Sequence, residues 1–473
     1  MGYVADIELI RKNYKFNESN SKGKKDLKHN TGNSIHILPY VVNCDANEKR
    51  FISNFKAVIG EFSRRISAKA LMKDSNNDVI LNKIVEIIKC QAGKQTVLKN
   101  IIKELFFDNE GELQVFHPIV FNYTEVDNIS NKKLGQLLFD VLYIKDSDVL
   151  IFIKNIYNTE PNNILLKAVK QALPELVDVN DKYQSKYKNC VPLISELFTY
   201  DFQFMLKNSK FFIENFEMFL KYYYFFYVSQ LSLKLNSFFE ADLTRPEKVY
   251  FNLDWETTSK TRTSYEFGWS NLLEPRVKNI FSHANCLELL NHNNMINTFT
   301  YVDFKKYVDT TNEDEKMNLS LEVESIFELY KEYTEEVHWE NFKYTPQYEN
   351  DAFNSIRKLF NAIDFQFNQS GRKGKYENYC SWFIEFCKFN FLKKRGQLGY
   401  TLNLTQDYLI FLTQLCIGNQ EKIRLKVLFS EYEKRGISFD RDSQLKIIQL
   451  FEKLNLIEKK SDSGDAQYVK SIL

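Results

Sequence analysis

The chain is short of the two residues that interrupt helices, with 8 Pro and 15 Gly in 473 positions. Their scarcity excludes the low-complexity and collagen-like classes and points to long unbroken helices. A surplus of one charge is also missing: 63 Lys and Arg stand against 62 Asp and Glu, a formal net of +1. No global field therefore draws the chain to nucleic acid or anionic lipid, and any such contact has to be local. Cysteine is sparse and scattered (Cys44, Cys90, Cys190, Cys286, Cys380, Cys387, Cys416), with no CxxC pair. An odd, unpaired set argues against zinc and for free thiols in a reducing cytoplasm. Long apolar runs are absent. The nearest, FLKYYYFFYVSQLSLKLNSFF at 219–239, is broken by Lys221, Gln230, Lys234 and Asn236, whereas a span needs about 20 apolar residues. A buried aromatic helix is expected there, and no membrane partner. The opening MGYVADIELIRKNYKF carries early charges and no small-residue cleavage site, so a cytoplasmic protein is expected. No GxSxG, kinase set or dinucleotide fingerprint occurs.

What is present is aromatic and helical. There are 40 Phe and 27 Tyr, with 44% hydrophobic and 26% charged residues, the balance of a globular chain with ample core. The pattern predicts a mainly α fold, a multi-helical body with a short β insertion and a C-terminal winged-helix module. Four segments are expected: 1–48, basic and partly flexible; 49–245, helical; 246–400, a strand insertion plus helices; and 401–473, the terminal module. In the first, the polar run NESNSKGKKDLKHNTGN reads as mobile, followed by extended SIHILPYVV. FHPIVF at 116–121 reads as extended because Pro118 biases His117 away from helix, and RPEKVYFNLDWETT predicts a strand from Val249 to Glu256.

The neutrality of the whole conceals two opposed patches. Between Glu313 and Phe342 ten acids face only Lys316 and Lys331, while SGRKGKYENYCSWFIEFCKFNFLKKRG carries seven cations against Glu377 and Glu385. GRKGK lacks the GxxxxGK[ST] pattern and a preceding strand, so it does not read as a nucleotide loop. As a flexible basic loop, together with KKRG, it offers Arg372, Lys373, Lys375, Lys393, Lys394 and Arg395 to a nucleic-acid backbone, with Tyr376, Tyr379, Trp382 and Phe383 as stacking surfaces. A buried helix core is the plainer reading of those rings.

After Gly399 a small domain is legible. Asn403 or Thr405 caps a first helix ended by Gly418. A second, Glu421 to Arg435, turns Ile423, Val427, Leu428 and Tyr432 inward. A third, capped by Asp440 or Asp442, buries a stripe of Leu445, Ile448, Phe451 and Leu454. LIEKK and AQYVKSIL around SDSGD then form a hairpin. Three helices and a wing make the winged variant of helix-turn-helix. Its candidate DNA contacts are Arg441, Lys446, Gln449 and Lys453 on the helix, with Lys459, Lys460 and Lys470 on the wing. Asp440, Asp442, Glu452, Glu458, Asp462 and Asp465 offset them, a balance that favours protein docking over sequence reading.

Asp254, Glu256 and Lys260 hold the parts of a metal-dependent nuclease, two acids for the ion and a lysine for the water. The spacing departs from the E-x-K strand of the common nuclease core, and a solvated strand end explains it as well. His283 and His292 flank Cys286 in SHANCLELLNHNN, a weak metal set. No catalytic residue, metal ligand or cofactor is assigned.

Four stretches, YYYFFYVSQLSLKLNSFF, PEKVYFNLDWETTSKTR, GKYENYCSWFIEFCKFNFLKKRGQLGYTLNL and the terminal EKIRLKVLFSEYEKRGISFDRDSQLKIIQLFEKLNLIEKKSDSGDAQYVKSIL, together resemble the DptG (DndG) component of DNA phosphorothioation-dependent restriction systems. The likeness runs from about Pro39 to Leu473. It implies a bacterial antiviral defence protein acting with DptF- and DptH-type subunits, which carry ATPase and DNA-processing functions, against DNA lacking the backbone sulfur. On that resemblance the chain is a non-catalytic adaptor that contacts the double-stranded DNA backbone. The alternatives are a nuclease subunit using Asp254, Glu256 and Lys260, or a DNA-binding regulator working through its winged helix.

Overall fold

The computed structural model describes residues 2–21, 23–39, 55–71, 77–88, 90–91, 93–109, 111–124, 129–143, 147–161, 163–179, 184–459 and 467–472. It is mainly helical, with small sheets. In chain order the principal helices are α1 (Ile7–Asn13), α2 (Lys56–Ser67), α3 (Asn77–Ile87), α4 (Gln95–Phe106), α5 (Ile129–Leu142), α6 (Ser147–Asn158), α7 (Ile164–Ala172), α8 (Pro192–Leu206) and α9 (Ser209–Asn236). They continue with α10 (Ile280–Leu290), α11 (Tyr301–Thr310), α12 (Glu313–Glu332), α13 (Asp351–Gln369), α14 (Lys373–Asn390), α15 (Gln406–Ile417), α16 (Leu425–Lys434) and α17 (Arg441–Lys453).

The axle is α9. It has no Pro or Gly, Asn208 caps it by accepting from the Phe211 N–H, and every residue from Tyr222 to Leu235 is buried, as suits a helix surrounded by protein over that length. Tyr224 stacks on Trp382 of α14, Phe225 meets Phe391, and Phe219 packs on Phe198 of α8. Among the described residues no helix is long and apolar enough to cross a membrane. One continuous core joins side chains from Tyr3 to Val469, and a second, smaller core lies between α3, α4 and α7 around Ile80, Ile84, Ile102 and Val169.

Short strands sew the C-terminal quarter to the body. The expected strand from Val249 to Glu256 is two pieces, β3 (Val249–Tyr250) and β4 (Asn252–Leu253). Further on come β5 (Leu392–Lys394), β6 (Tyr400–Leu404), β7 (Lys422–Arg424), β8 (Ile437–Ser438), β9 (Ile457–Lys459) and β10 (Gln467–Lys470), while Lys69–Ala70 (β1) pairs with Val177–Asp178 (β2). β4 runs parallel to β6, with Asn252 opposite Asn403, and β6 pairs antiparallel with β5; β3 runs parallel to β8.

One expectation for the first third is corrected. FHPIVF is extended only at His117, which caps a 3₁₀ turn over Pro118–Tyr123; proline's fixed φ suits the first helical position. The described part of the polar run at 17–33 is packed against the body. The buried Glu288 carboxylate accepts from the backbone N–H of Gly32, Asn33, Ser34 and Ile35 at 2.8–3.2 Å, and Lys25 pairs with Glu332. Four amides converging on one oxygen pair form an anion nest whose anion is the protein's own.

Candidate nucleic-acid and partner interface

The terminal region assembles around α15–α17. Thr405 caps α15 by accepting from Tyr408 N–H, and Gly418 ends it at φ +59°. Asp440 caps α17 through Ser443 N–H. β9 and β10 form the expected hairpin, and β7 joins them in an antiparallel sheet of order β7–β10–β9. Strand β7 is the part the sequence reading missed, since Ile423 was assigned to the second helix; that helix starts at Leu425. The buried stripe of α17 also differs. Ser443, Ile447 and Phe451 face inward, while Leu445 and Leu454 are 50% and 36% exposed, as is Val427 of α16 at 44%. A spacing of three turns each residue about 60° off the last, so four such residues spread over half the helix; a spacing of four stays on one face.

Two ion pairs, one buried and one partly buried, fix this region. Arg435 grips Asp201 of α8 at 2.6 and 2.9 Å, with both side chains almost fully buried. Tyr223 donates to Asp201 Oδ2 at 2.6 Å and Tyr222 to the Arg435 carbonyl. Beside them Gly436 has φ +70°, and a Cβ there would lie 2.4 Å from the Phe226 ring. The second pair joins Arg262 to Asp440 (Nε to Oδ2 2.9 Å) and extends to Ser443 Oγ at 2.8 Å. Burial alone would raise the Asp440 carboxyl, but the Arg262 hydrogen bonds and the Ser443 amide bring it down to about 2.

The predicted basic residues separate into two kinds. GRKGK is not a loop: Arg372 precedes α14 and Lys373 begins it. Arg372 is engaged, with Nε 3.1 Å from Glu336 and Nη1 donating to the Leu27 carbonyl and to His29 Nδ1. Arg395 donates to the Glu256 and Leu253 carbonyls and to Asn403 Oδ1, and Lys393 to the Asp254 carbonyl at 2.6 Å. Lys373 and Lys394 are exposed, and Lys373 lies 4.0 Å from Glu377. The Lys375 side chain and Lys460 lie outside the described residues. Arg441, Lys446 and Lys453 stand exposed on the outer side of α17, Lys446 beside Gln449 and Lys459 paired with Glu452. The four rings offered for stacking, Tyr376, Tyr379, Trp382 and Phe383, are all buried in the core; Phe389 is the exposed ring of that helix.

The acidic stretch is partly neutralised from within. Glu324 pairs with Lys358 at 2.6 Å, Glu332 with Lys25 and Glu336 with Arg372. The nuclease trio does not converge. Glu256 is buried, its Oε1 accepting from Leu253 N–H and Ser443 Oγ and lying 3.4 Å from Arg262, whereas Lys260 is exposed. His283 is buried with Nδ1 3.0 Å from the Tyr301 hydroxyl, and His292 contacts Asn13 and the Glu288 carbonyl. Among the described residues no three of His, Cys, Asp and Glu lie close enough to share a metal ion. Burial raises the Cys190, Cys286 and Cys416 thiols to about 12, so these are core thiols. No known family model matches the sequence, and no curated protein matches it either.

Proposed function

We propose that this chain is a non-catalytic adaptor and DNA-contacting subunit of a bacterial phosphorothioation-dependent restriction complex, acting on unmodified DNA with DptF- and DptH-type partners. The observation that carries the DNA-contacting part is the terminal region's order, helix, strand, two helices, then a hairpin closing a three-stranded sheet. That order supports reading it as a winged helix, whose third helix is the one that meets DNA. Here the third helix turns Arg441, Lys446 and Lys453 outward. Asp442 and Glu452 alternate with them, which supports a backbone contact of modest strength, shared with protein docking, over sequence readout.

The non-catalytic part is supported by how the polar groups are used. Asp440, Asp201, Arg262, Arg395 and Arg435 tie segments distant in sequence, a role that asks for low mobility and well-satisfied partners, and Glu256 joins them through Oε1, its buried Oε2 having no hydrogen-bond partner among the described residues. The test is restriction by the reconstituted complex carrying Lys260→Ala and, separately, Arg441→Gln with Lys446→Gln and Lys453→Gln. Full cleavage with the first and impaired DNA engagement with the second are expected. Loss of cleavage with Lys260→Ala, in a complex that assembles normally, would overturn the reading in favour of a nuclease subunit.

A further inference from the structure

A cavity of about 640 Å³ opens between the N-terminal segment, the helices α10 and α13, and Arg372 just before α14. Its size falls in the roughly 300–1,000 Å³ range of small-molecule sites. Lys15, Lys28 and Arg372 line it with one acid, Asp26, the polar His29, Asn30 and Thr31, and the apolar Leu27, Phe281 and Phe367. We propose that this cavity binds a nucleotide phosphate, carried by a free mononucleotide or by the phosphorylated end of a nucleic-acid strand. The site is separate from the terminal region and does not rest on its reading.

Three features support a built site over a chance hollow. First, Arg372 is held rigidly. Its Nη1 donates to the Leu27 carbonyl at 2.8 Å and to His29 Nδ1 at 3.0 Å, and its Nε faces Glu336 at 3.1 Å. The His29 nitrogen that accepts from a guanidinium is bare, so the ring proton sits on Nε2, 2.7 Å from the Tyr330 hydroxyl. Tyr330 donates to Gln366 Oε1, and Gln366 Nε2 donates to Glu336, which closes the ring of bonds on Arg372. Arg372 Nη2 has no partner among the described residues. A guanidinium fixed on two sides with one free amino group is preorganised to meet an oxyanion.

Second, Lys28 is exposed and its ammonium is unpaired among the described residues. Third, Lys15 occupies the position just beyond the end of α1 at φ +49°. That left-handed position ordinarily selects Gly or Asn, which relieve the Cβ crowding. A lysine kept there puts a cation on the cavity wall at a cost to the backbone. Phosphate is the anion that rewards two lysines and a preorganised arginine amino group on one cavity wall, and the remaining volume accommodates the sugar and base that a bare phosphate would leave empty.

The test titrates the full chain with ADP, with a 5′-phosphorylated single-stranded oligonucleotide and with its 5′-hydroxyl counterpart. Each is repeated with Lys15→Gly combined with Lys28→Gln, and with the triple Gln variant of α17. Binding of ADP, or of the phosphorylated strand in clear preference to the hydroxyl one, is expected. It should weaken at least tenfold in the Lys15/Lys28 variant and be unchanged in the α17 variant. ADP binding identifies a mononucleotide site and strand-only binding an end-recognition site. Since glycine relieves the strain at position 15, the thermal midpoint should not fall, which separates lost binding from lost fold. Failure of every probe to bind the wild type, or equal affinity in the Lys15/Lys28 variant, would overturn the proposal.

Discussion

The strand β5 and the outer side of α17 each present a small group of cations, yet they direct them oppositely. In β5 and the residue after it, Arg395 reaches inward to Leu253, Glu256 and Asn403, Lys393 caps the Asp254 carbonyl, and Lys394 is exposed with no ion pair among the described residues. On α17, Arg441 and Lys453 are exposed and Lys446 has only Gln449 beside it. Counting charges along the sequence makes the first group the stronger DNA candidate. Accounting for hydrogen bonds reverses the order, because all three nitrogens of Arg395 already donate and leave little for a phosphate.

The contrast breaks most sharply at the deepest arginine. Replacing Arg435 with Ala would strand Asp201 in a dry core, and breaking a buried pair in this way costs about 3–5 kcal/mol. Urea unfolding should show that loss, and a loss below about 1 kcal/mol would mean the pair does not anchor the terminal region. Arg395→Ala comes next, at about 2–3 kcal/mol, since it leaves the Glu256 carbonyl and Asn403 Oδ1 without their donor. Arg441→Ala is the control: exposed and unpaired among the described residues, it should stay within about 0.5 kcal/mol.

The pH profile sharpens the same comparison. Burial holds the His283 imidazole well below its usual value, assisted by Arg357, so the folded state resists a proton that the unfolded chain takes up near pH 6.5. Stability therefore falls as pH drops from about 6.5, with His36 and His117 acting in the same direction. Asp440 acts later. Its contribution is complete above its unfolded value near 4 and is lost as pH falls toward 2. His283→Phe should shrink the upper limb to the share of His36 and His117 and leave the lower, and Arg262→Ala should spare the upper limb and remove the lower. Loss of both limbs in one variant would show that the two sites unfold as a unit.

The helical body was legible because its signals are local. The long aromatic helix and the caps Thr405 and Asp440 follow from nearby residues. Strand β7 was not, because three residues, KIR, carry no period of their own and become a strand only against β10, more than forty positions away. The candidate interface was half legible. Lys446 and Lys453 are where a helical reading puts them, but the engagement of Arg372 and Arg395 depends on acceptors in segments remote in sequence. Lys15 and Lys28 escaped notice for the same reason, although the basic run beside them was a visible hint.

The smallest effects test the ranking of the two basic groups most directly. If α17 meets the backbone, duplex affinity measured over a salt series should have a slope that shrinks by about 0.9 for each phosphate contact removed. Arg441→Gln, Lys446→Gln and Lys453→Gln together should lower it by nearly three. Lys393→Gln with Lys394→Gln should lower it by no more than about one, because Lys393 is already occupied by the Asp254 carbonyl. Equal reductions from the two variants would mean that the hydrogen bond at Lys393 yields to phosphate, and that β5 and α17 grip the same duplex. A slope unchanged by the α17 substitutions would leave that helix as a protein-docking surface, its alternating acids and bases then matching a partner's charges and setting the rate of encounter more than the strength of the complex.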